Sequence, residues 1–398
     1  MRAAFLMALF AVLAGPASAA RMTLSGLDVL ERDGFKALQN RRVGLITNHT
    51  AVNLQGRHAA DLMHEAGVKL EAIFAPEHGF RGTEGHGAHI AHSSDAVTGA
   101  PIYSLYGRNM RPSPEQLAGL DVLVFDIQDV GARFYTYLTT MGYAMEEAAK
   151  GGLDFIVLDR PNPIGGHVTE GPLLEPDIKA FTAYFPVPTR HGFTPGEMAF
   201  FHKDRMKLDL PLTVVRMSDW TRDMFFDETG LIWTNPSPNI RSVEAEVLYP
   251  GIGCFEATNL SVGRGTESPF TWFGAPWLDG DRLAADLNDI GMAGVEFRPA
   301  RKTPDSDVHA GRECGGVEVL IKQKRDIRPL EIFVYAASLL KKNHPGDFVY
   351  KPAELRKMTG SGLLGSALEK GRSAGSVIKA YNRERAAFEK KRGKWLLY

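Results

Sequence analysis

Asp121–Asp126 (DVLVFD) places four apolar residues, two of them valines, between two aspartates. A run this short and apolar on both faces fits a strand covered on each side by helices, the usual setting of a parallel sheet. Working outward, the same texture recurs at Val43–Thr47 (VGLIT), Leu70–Ala75 (LEAIFA) and Asp154–Asp159 (DFIVLD). Shorter runs stand at Pro101–Leu105 and Leu212–Met217. Helical patterns near Gly56–Gly67, Thr136–Lys150 and Gly196–Lys207 lie between them. Strand–helix–strand repetition implies right-handed crossovers and an open, largely parallel α/β sheet.

Beyond about Leu231 the texture changes. A loop-rich stretch leads to a helix near Asp281–Ile290, strand-like runs at Gly294–Arg298 and Val317–Lys322, and a helix near Pro329–Lys342. The basic stretch Arg383–Lys394 reads as a solvated helix face. The expected division is therefore an α/β domain over residues 21–230 and a smaller α+β domain over 231–398. Residues 1–20 are set apart. Arg2, the apolar run Ala3–Leu13, the breakers Gly15 and Pro16 and the small residues Ala17-Ser18-Ala19 have the layout of a secretory signal. The expectation is an exported, periplasmic or secreted chain beginning near Ala20 or Arg21.

The 398 residues carry 46 basic and 47 acidic side chains, a formal net charge of −1, so nothing in the charge favours nucleic acid or an anionic membrane. No later segment is apolar enough for a membrane anchor. The two cysteines, Cys254 and Cys314, are compatible with a disulfide or with two small buried thiols.

In an open α/β sheet, ligands bind at the carboxyl ends of the strands. Four successive strand ends here carry polar groups: Asn48-His49, then Glu77-His78 with Arg81, then Asp126 to Asp129 with Arg133 and Tyr135, then Asp159-Arg160. There is no phosphate-binding G-x-x-x-x-G-K-[ST], no G-x-G-x-x-G after the first strand, no H-E-x-x-H and no G-x-S-x-G. His86, His89 and His92 recur every third residue, but Gly85 and Gly87 argue for a loop, and no metal or other cofactor is expected. Carboxylates, amides, arginines and aromatics remain, which suits sugar recognition and glycosidic cleavage. Glu77 is the candidate acid, because it follows an apolar strand and a proline, between Phe74 and Phe80, in surroundings that suit a proton-bearing carboxyl. Asp126 and Asp129 are candidates for a second carboxylate or for holding Arg133, and Asp159 beside Arg160 reads as an internal ion pair.

At these residues the chain resembles the exo-β-N-acetylmuramidase family of the NamZ type. The matching blocks are VGLITNHTAVN (43–53), FAPEHGFRG (74–82), PIYSLYG (101–107) and DVLVFDIQDVGARFYTY (121–137), followed by VLDRPNPIGG (157–166), TRHGFTPGEMA (189–199), WTNPSPNIRS (233–242) and GIGCFEATNLSVGRGTESPF (251–270). The resemblance implies a Rossmann-like domain joined to a smaller one, with the cleft between them. It also implies hydrolysis of terminal, non-reducing N-acetylmuramic acid in peptidoglycan fragments, that is, a muropeptide or a MurNAc-GlcNAc oligosaccharide. Carried over onto the motifs, Glu77 is the catalytic glutamate, with Asp126 or Glu256 as second carboxylate. Asn48, His78, Arg81, Gln128, Asp129, Arg133, Tyr135 and Arg160 are expected to line the cleft from the first domain. Asn259, Arg264 and Glu267 are expected to line it from the second, with Arg264, between Gly263 and Gly265, expected on the lactyl carboxylate and Arg81 and Arg133 as its rivals. Two other readings stay open: a hydrolase of another amino sugar, and an exported muropeptide-binding protein without catalysis.

Overall fold

The computed structural model describes residues 22–81 and 93–398. The leader read at residues 1–20 and His86, His89 and His92 lie outside the described residues. Seven strands form the larger sheet: β1 (Arg42–Thr47), β2 (Lys69–Ala75), β3 (Ser93–Ser94), β4 (Pro101–Ser104), β5 (Val122–Asp126), β6 (Asp154–Leu158) and β7 (Leu212–Val215). Their order is β3-β4-β2-β1-β5-β6-β7, with the two-residue β3 antiparallel on the edge and the other six parallel. The chain starts at β1, runs outward through β2 to β4, then returns to the other side of β1 for β5, β6 and β7. This is the doubly wound, Rossmann-like arrangement, and connections leave β1 and β5 in opposite directions, which opens a crevice at their carboxyl ends.

β5 shows why the sheet forms. Val122 and Val124 belong to one buried cluster with Leu45 and Ile73, while Leu123 and Phe125 belong to another with Phe74 and Phe155. Each side chain along the strand is thus removed from water on alternate faces, at roughly 25 cal/mol per Å² of apolar surface. The helix Tyr137–Gly151 covers the Phe125 face, and Gly26–Arg32 and Ala59–Glu65 contribute to the other.

The second half holds a three-stranded antiparallel sheet, β8 (Trp272–Ala275), β9 (Val295–Lys302) and β10 (Cys314–Ile321), in the order β8-β10-β9. The strand-like runs near 294–298 and 317–322 become β9 and β10; β8 and the helix Val243–Ile252 lie in the stretch read as loop. That helix contains Pro250 in its last turn and approaches the start of the helix Pro329–Asn343 so closely that a Cβ on Gly251 would lie 1.8 Å from the Pro329 carbonyl oxygen. The lone Gly251-Ile252-Gly253 is therefore a helix-packing device. The larger buried cluster runs without a break from Phe125 of the first sheet to Val317 and Phe333 of the second half.

The basic stretch Arg383–Lys394 covers the end of the long helix Ala374–Arg392 and the turn after it; Arg383, Lys390, Lys391 and Lys394 are exposed, while Phe388 and Arg392 are buried. The chain end then folds back on the first sheet, where the Tyr398 hydroxyl donates to Asp159 at 2.8 Å. Cys254 and Cys314 are buried free thiols. No helix of the described residues is long and apolar enough to cross a membrane.

Candidate active site

β2 delivers its last residue, Ala75, to the carboxyl edge beside β1, and Pro76-Glu77-His78-Gly79 turns there. His78 adopts φ +71°, in the left-handed region that disfavours a side chain, and Gly79 follows at +76°. A non-glycine residue held there costs of order 1–3 kcal/mol and persists only where its surroundings enforce it. The turn sets the Glu77 carboxyl, 6% exposed, in the wall of a cavity of about 240 Å³. The Thr136 hydroxyl, at the start of the helix Tyr137–Gly151, donates to Glu77 Oε2 at 2.9 Å. Tyr106 lies near enough to feel Glu77: burial and then the negative charge of Glu77 push its phenol up to about 12, so it stays protonated at ordinary pH.

The second half closes the cavity. Tyr249, from the helix Val243–Ile252, meets the rings of Phe134, Tyr135 and Phe270 edge-on at 5.2, 6.0 and 4.7 Å, which joins both halves in one aromatic wall. Glu256 and Arg264 also line the cavity, with Arg264 Nε 2.7 Å from Glu256 Oε1 and its guanidinium 5.2 Å over Phe270. Phe270 sits at φ +63°, a second strained residue on the wall. The glycines around Arg264 serve the turn itself: Gly263 and Gly265 have φ of +83° and +73°, and a Cβ on either would meet the backbone of Ser268 or Ser306 at 2.4 or 2.6 Å. The third side is the segment 237–240, fastened to the first sheet by Tyr135 and Tyr137, whose hydroxyls donate to the Pro236 carbonyl at 3.0 and 2.7 Å.

Of the site residues expected from sequence, Glu77, His78, Tyr135, Glu256 and Arg264 meet around this cavity. The others do not line this cavity, and each makes contacts of its own. Asp126 and Arg160 form a buried bidentate pair, with Arg160 Nε 2.5 Å from Oδ1 and Nη2 3.0 Å from Oδ2, so the partner of Arg160 is not Asp159. Asp159 instead accepts from Thr194, Gly196 and Tyr398 at the start of the helix Pro195–Met206. Gln128 donates to the carbonyls of Asp129 and Pro161, and Asp129 accepts from the Gly131 amide and faces His191 at 3.2 Å. Asn48 accepts from the Thr50 amide and hydroxyl, bracing the end of β1. Arg133 donates to the carbonyls of Lys357 and Met358, near the end of the helix Pro352–Thr359, where negative partial charge collects. Met358 reaches the cavity, so Arg133 serves its wall from behind.

Arg81 pairs with Asp95 at 2.7 Å. Asn259 exchanges hydrogen bonds with the backbone of Asp347 and Val349, and the exposed Glu267 pairs with Lys302. Sequence reading missed Tyr106, Thr136, Tyr249, Phe270 and the segment 237–240. The only available signal for most of them was membership of a matching block. Among the described residues, no group of three or more His, Cys, Asp or Glu side chains is arranged to hold a metal.

The comparisons agree with one another. A family model described as exo-beta-N-acetylmuramidase NamZ, N-terminal, matches residues 43–244, and its C-terminal counterpart matches residues 247–398. The peptidoglycan beta-N-acetylmuramidase NamZ of Bacillus subtilis (strain 168) is 41% identical over 376 residues, 94% of this chain and 91% of that one. Two crystal structures of DUF1343 family proteins from Bacteroides fragilis superpose on it. The first has a TM-score of 0.89 at 36% identity, covering 95% of this chain and 99% of its own. The second has a TM-score of 0.76 at 29% identity, covering 94% and 99%. With both domain models and 94% of the chain accounted for, the chain belongs to the NamZ family of exo-β-N-acetylmuramidases.

Proposed function

We infer that this chain is an exo-acting glycoside hydrolase that releases terminal, non-reducing N-acetylmuramic acid from peptidoglycan fragments, with Glu77 as its general acid and no cofactor. The observation that carries the assignment of Glu77 is its buried carboxyl on the wall of a cavity of about 240 Å³, a space for one sugar residue rather than a chain. Thr136 fixes the Oε2 edge of Glu77, which orients the carboxyl toward the departing glycosidic oxygen. Proton transfer from Glu77 to that oxygen as the C–O bond breaks releases the rest of the glycan as an alcohol, and water, directly or after a covalent glycosyl-enzyme, supplies the new C–O bond at the anomeric carbon. Glu256, across the cavity, is the candidate second carboxylate.

Arg264 is assigned to the lactyl carboxylate that distinguishes muramic acid from N-acetylglucosamine. Its Nε is occupied by Glu256, while Nη1 and Nη2 make no hydrogen bond among the described residues, so one edge of the guanidinium is available for a bidentate carboxylate. Removing one member of such a pair costs about 2–5 kcal/mol of binding. The test compares Arg264→Ala with the unaltered protein on chromogenic glycosides of N-acetylmuramic acid and N-acetylglucosamine. Arg264→Ala should weaken the preference for the muramic glycoside by a factor of at least about 30. An unchanged preference would remove Arg264 from that role, and faster hydrolysis of the glucosamine glycoside by the unaltered protein would name another amino sugar as substrate.

Export is part of the proposal: the sequence of residues 1–20 supports secretion to the compartment where peptidoglycan lies. A native protein carrying Met1 by mass spectrometry would refute it. Neither nucleic acid nor a membrane anchor is proposed as a partner, since the formal net charge is −1.

A further inference from the structure

Beside the catalytic cavity runs an open groove of about 490 Å³ that the chemistry above does not use, lined by Tyr143, Phe181, Tyr184 and Arg205 among others. The two spaces share a border. Thr182 lines the cavity and its neighbour Phe181 lines the groove. Tyr106, whose phenol feels the charge of Glu77, stands 6.2 Å from Phe181, ring centre to ring centre. Phe181 lies 5.8 Å from Tyr143, and Tyr143 lies 4.8 Å from Tyr184. A row of half-buried rings therefore leads away from the general acid.

We propose that this groove is the leaving-side subsite, which holds the glycan beyond the scissile bond while its terminal muramic acid occupies the cavity. The proposal rests on the muramidase reading of Glu77. A general acid sits against the glycosidic oxygen, at the boundary between the retained sugar and the departing chain, and Tyr106 is the first ring on that boundary. Sugar rings have apolar C–H faces that stack on aromatic side chains, and the hydroxyls and N-acetyl groups stay wet in an open groove.

Charge selects the same occupant. The acids near the groove are already paired: Glu146 and Glu147 with Arg111, and Glu175 and Asp177 with Arg356. Lys179 and Arg205 line the groove and have no carboxylate within 4.0 Å among the described residues, while Arg205 stands 5.5 Å over Tyr184. Peptidoglycan glycan repeats a lactyl carboxylate, free or extended by an acidic peptide, on every second sugar, so two unmatched cations along the departing chain complement it.

The experiment compares the aryl muramic glycoside, which places only a small aryl group on the leaving side, with the tetrasaccharide of two MurNAc-GlcNAc repeats, which places three sugars there. The ratio of kcat/KM for the tetrasaccharide to that for the aryl glycoside should fall about tenfold in Phe181→Ala. It should fall severalfold in Arg205→Ala, and that loss should fade at high salt. Calorimetric binding of the tetrasaccharide to Glu77→Gln, with and without Phe181→Ala, tests the groove without turnover. Binding weakened by Phe181→Ala in a protein whose unaltered form cleaves neither substrate would support the groove and refute the catalytic reading. An unchanged ratio and unchanged tetrasaccharide affinity would overturn the groove, whatever the activity of the protein.

Discussion

Glu77, in the turn after β2, and Asp126, the last residue of β5, stand to either side of β1 and are both buried, yet their surroundings differ. Asp126 is fully enclosed and shares both oxygens with the guanidinium of Arg160, which also donates to the Val52 carbonyl. Glu77 accepts from the Thr136 hydroxyl and opens onto a cavity. A carboxylate enclosed on all sides and clasped at both oxygens holds loops together and cannot reach a substrate. A carboxyl in the wall of a cavity can. Asp159, just past the end of β6, is a third case, gripped by neutral donors and lining neither the cavity nor the groove.

The comparison breaks most decisively on Glu77→Gln. Glutamine keeps the volume and the contact with Thr136 but has no proton to give, and loss of general acid catalysis lowers turnover by ~10²–10⁴. The melting temperature should stay within a few degrees. Turnover above about a tenth of the unaltered protein, on the same preparation, would place Glu77 with Asp126 among the structural carboxylates.

Asp126→Asn should give the opposite pattern. It leaves Arg160 charged, buried and short of its counter-ion, at a cost of about 3–5 kcal/mol in stability. Urea unfolding reads that loss directly, while the folded fraction should keep most of its activity per molecule, because Asp126 does not line the cavity. A stable but inactive Asp126→Asn would return Asp126 to the chemistry.

The sheet was legible because strands buried on both faces impose unbroken apolar runs, and DVLVFD sends alternate residues into two separate cores. Polar groups at successive strand ends were equally legible as a set. Their individual duties were not, since pairing is a property of distance: nothing in the sequence tells Asp126, clasped by a residue 34 positions away, from Glu77. The far wall was the least legible. Helix Val243–Ile252, which carries Tyr249, contains Pro250 and Gly251, signals that read as loop. Pro250 is tolerated in the last turn, and Gly251 is required by contact with Pro329, a tertiary cause without a local pattern.

The smallest effect sharpens the third case. The Tyr398 hydroxyl donates to Asp159 Oδ2 at 2.8 Å and accepts from the Met217 amide at 2.8 Å, so the chain end fastens β6 and β7. Burial, set against the hydrogen bonds from Gly196, Tyr398 and Thr194, leaves the Asp159 carboxyl pushed up to about 7 from an ordinary 3.8. Its folded value lies above its unfolded one, so its contribution to stability is complete below about pH 4 and is lost as pH rises through about 7. Above that point Asp159 is ionised inside the protein and depends on its donors. Tyr398→Phe removes one of them, and a hydrogen bond to a charged group is worth more than one to a neutral group. The loss should therefore be about 1 kcal/mol at pH 5 and about 2 kcal/mol at pH 8. Urea unfolding at both values checks it. An equal loss at the two pH values would mean that Asp159 does not change charge between them, and a loss confined to pH 5 would reverse the assignment of its neutral form.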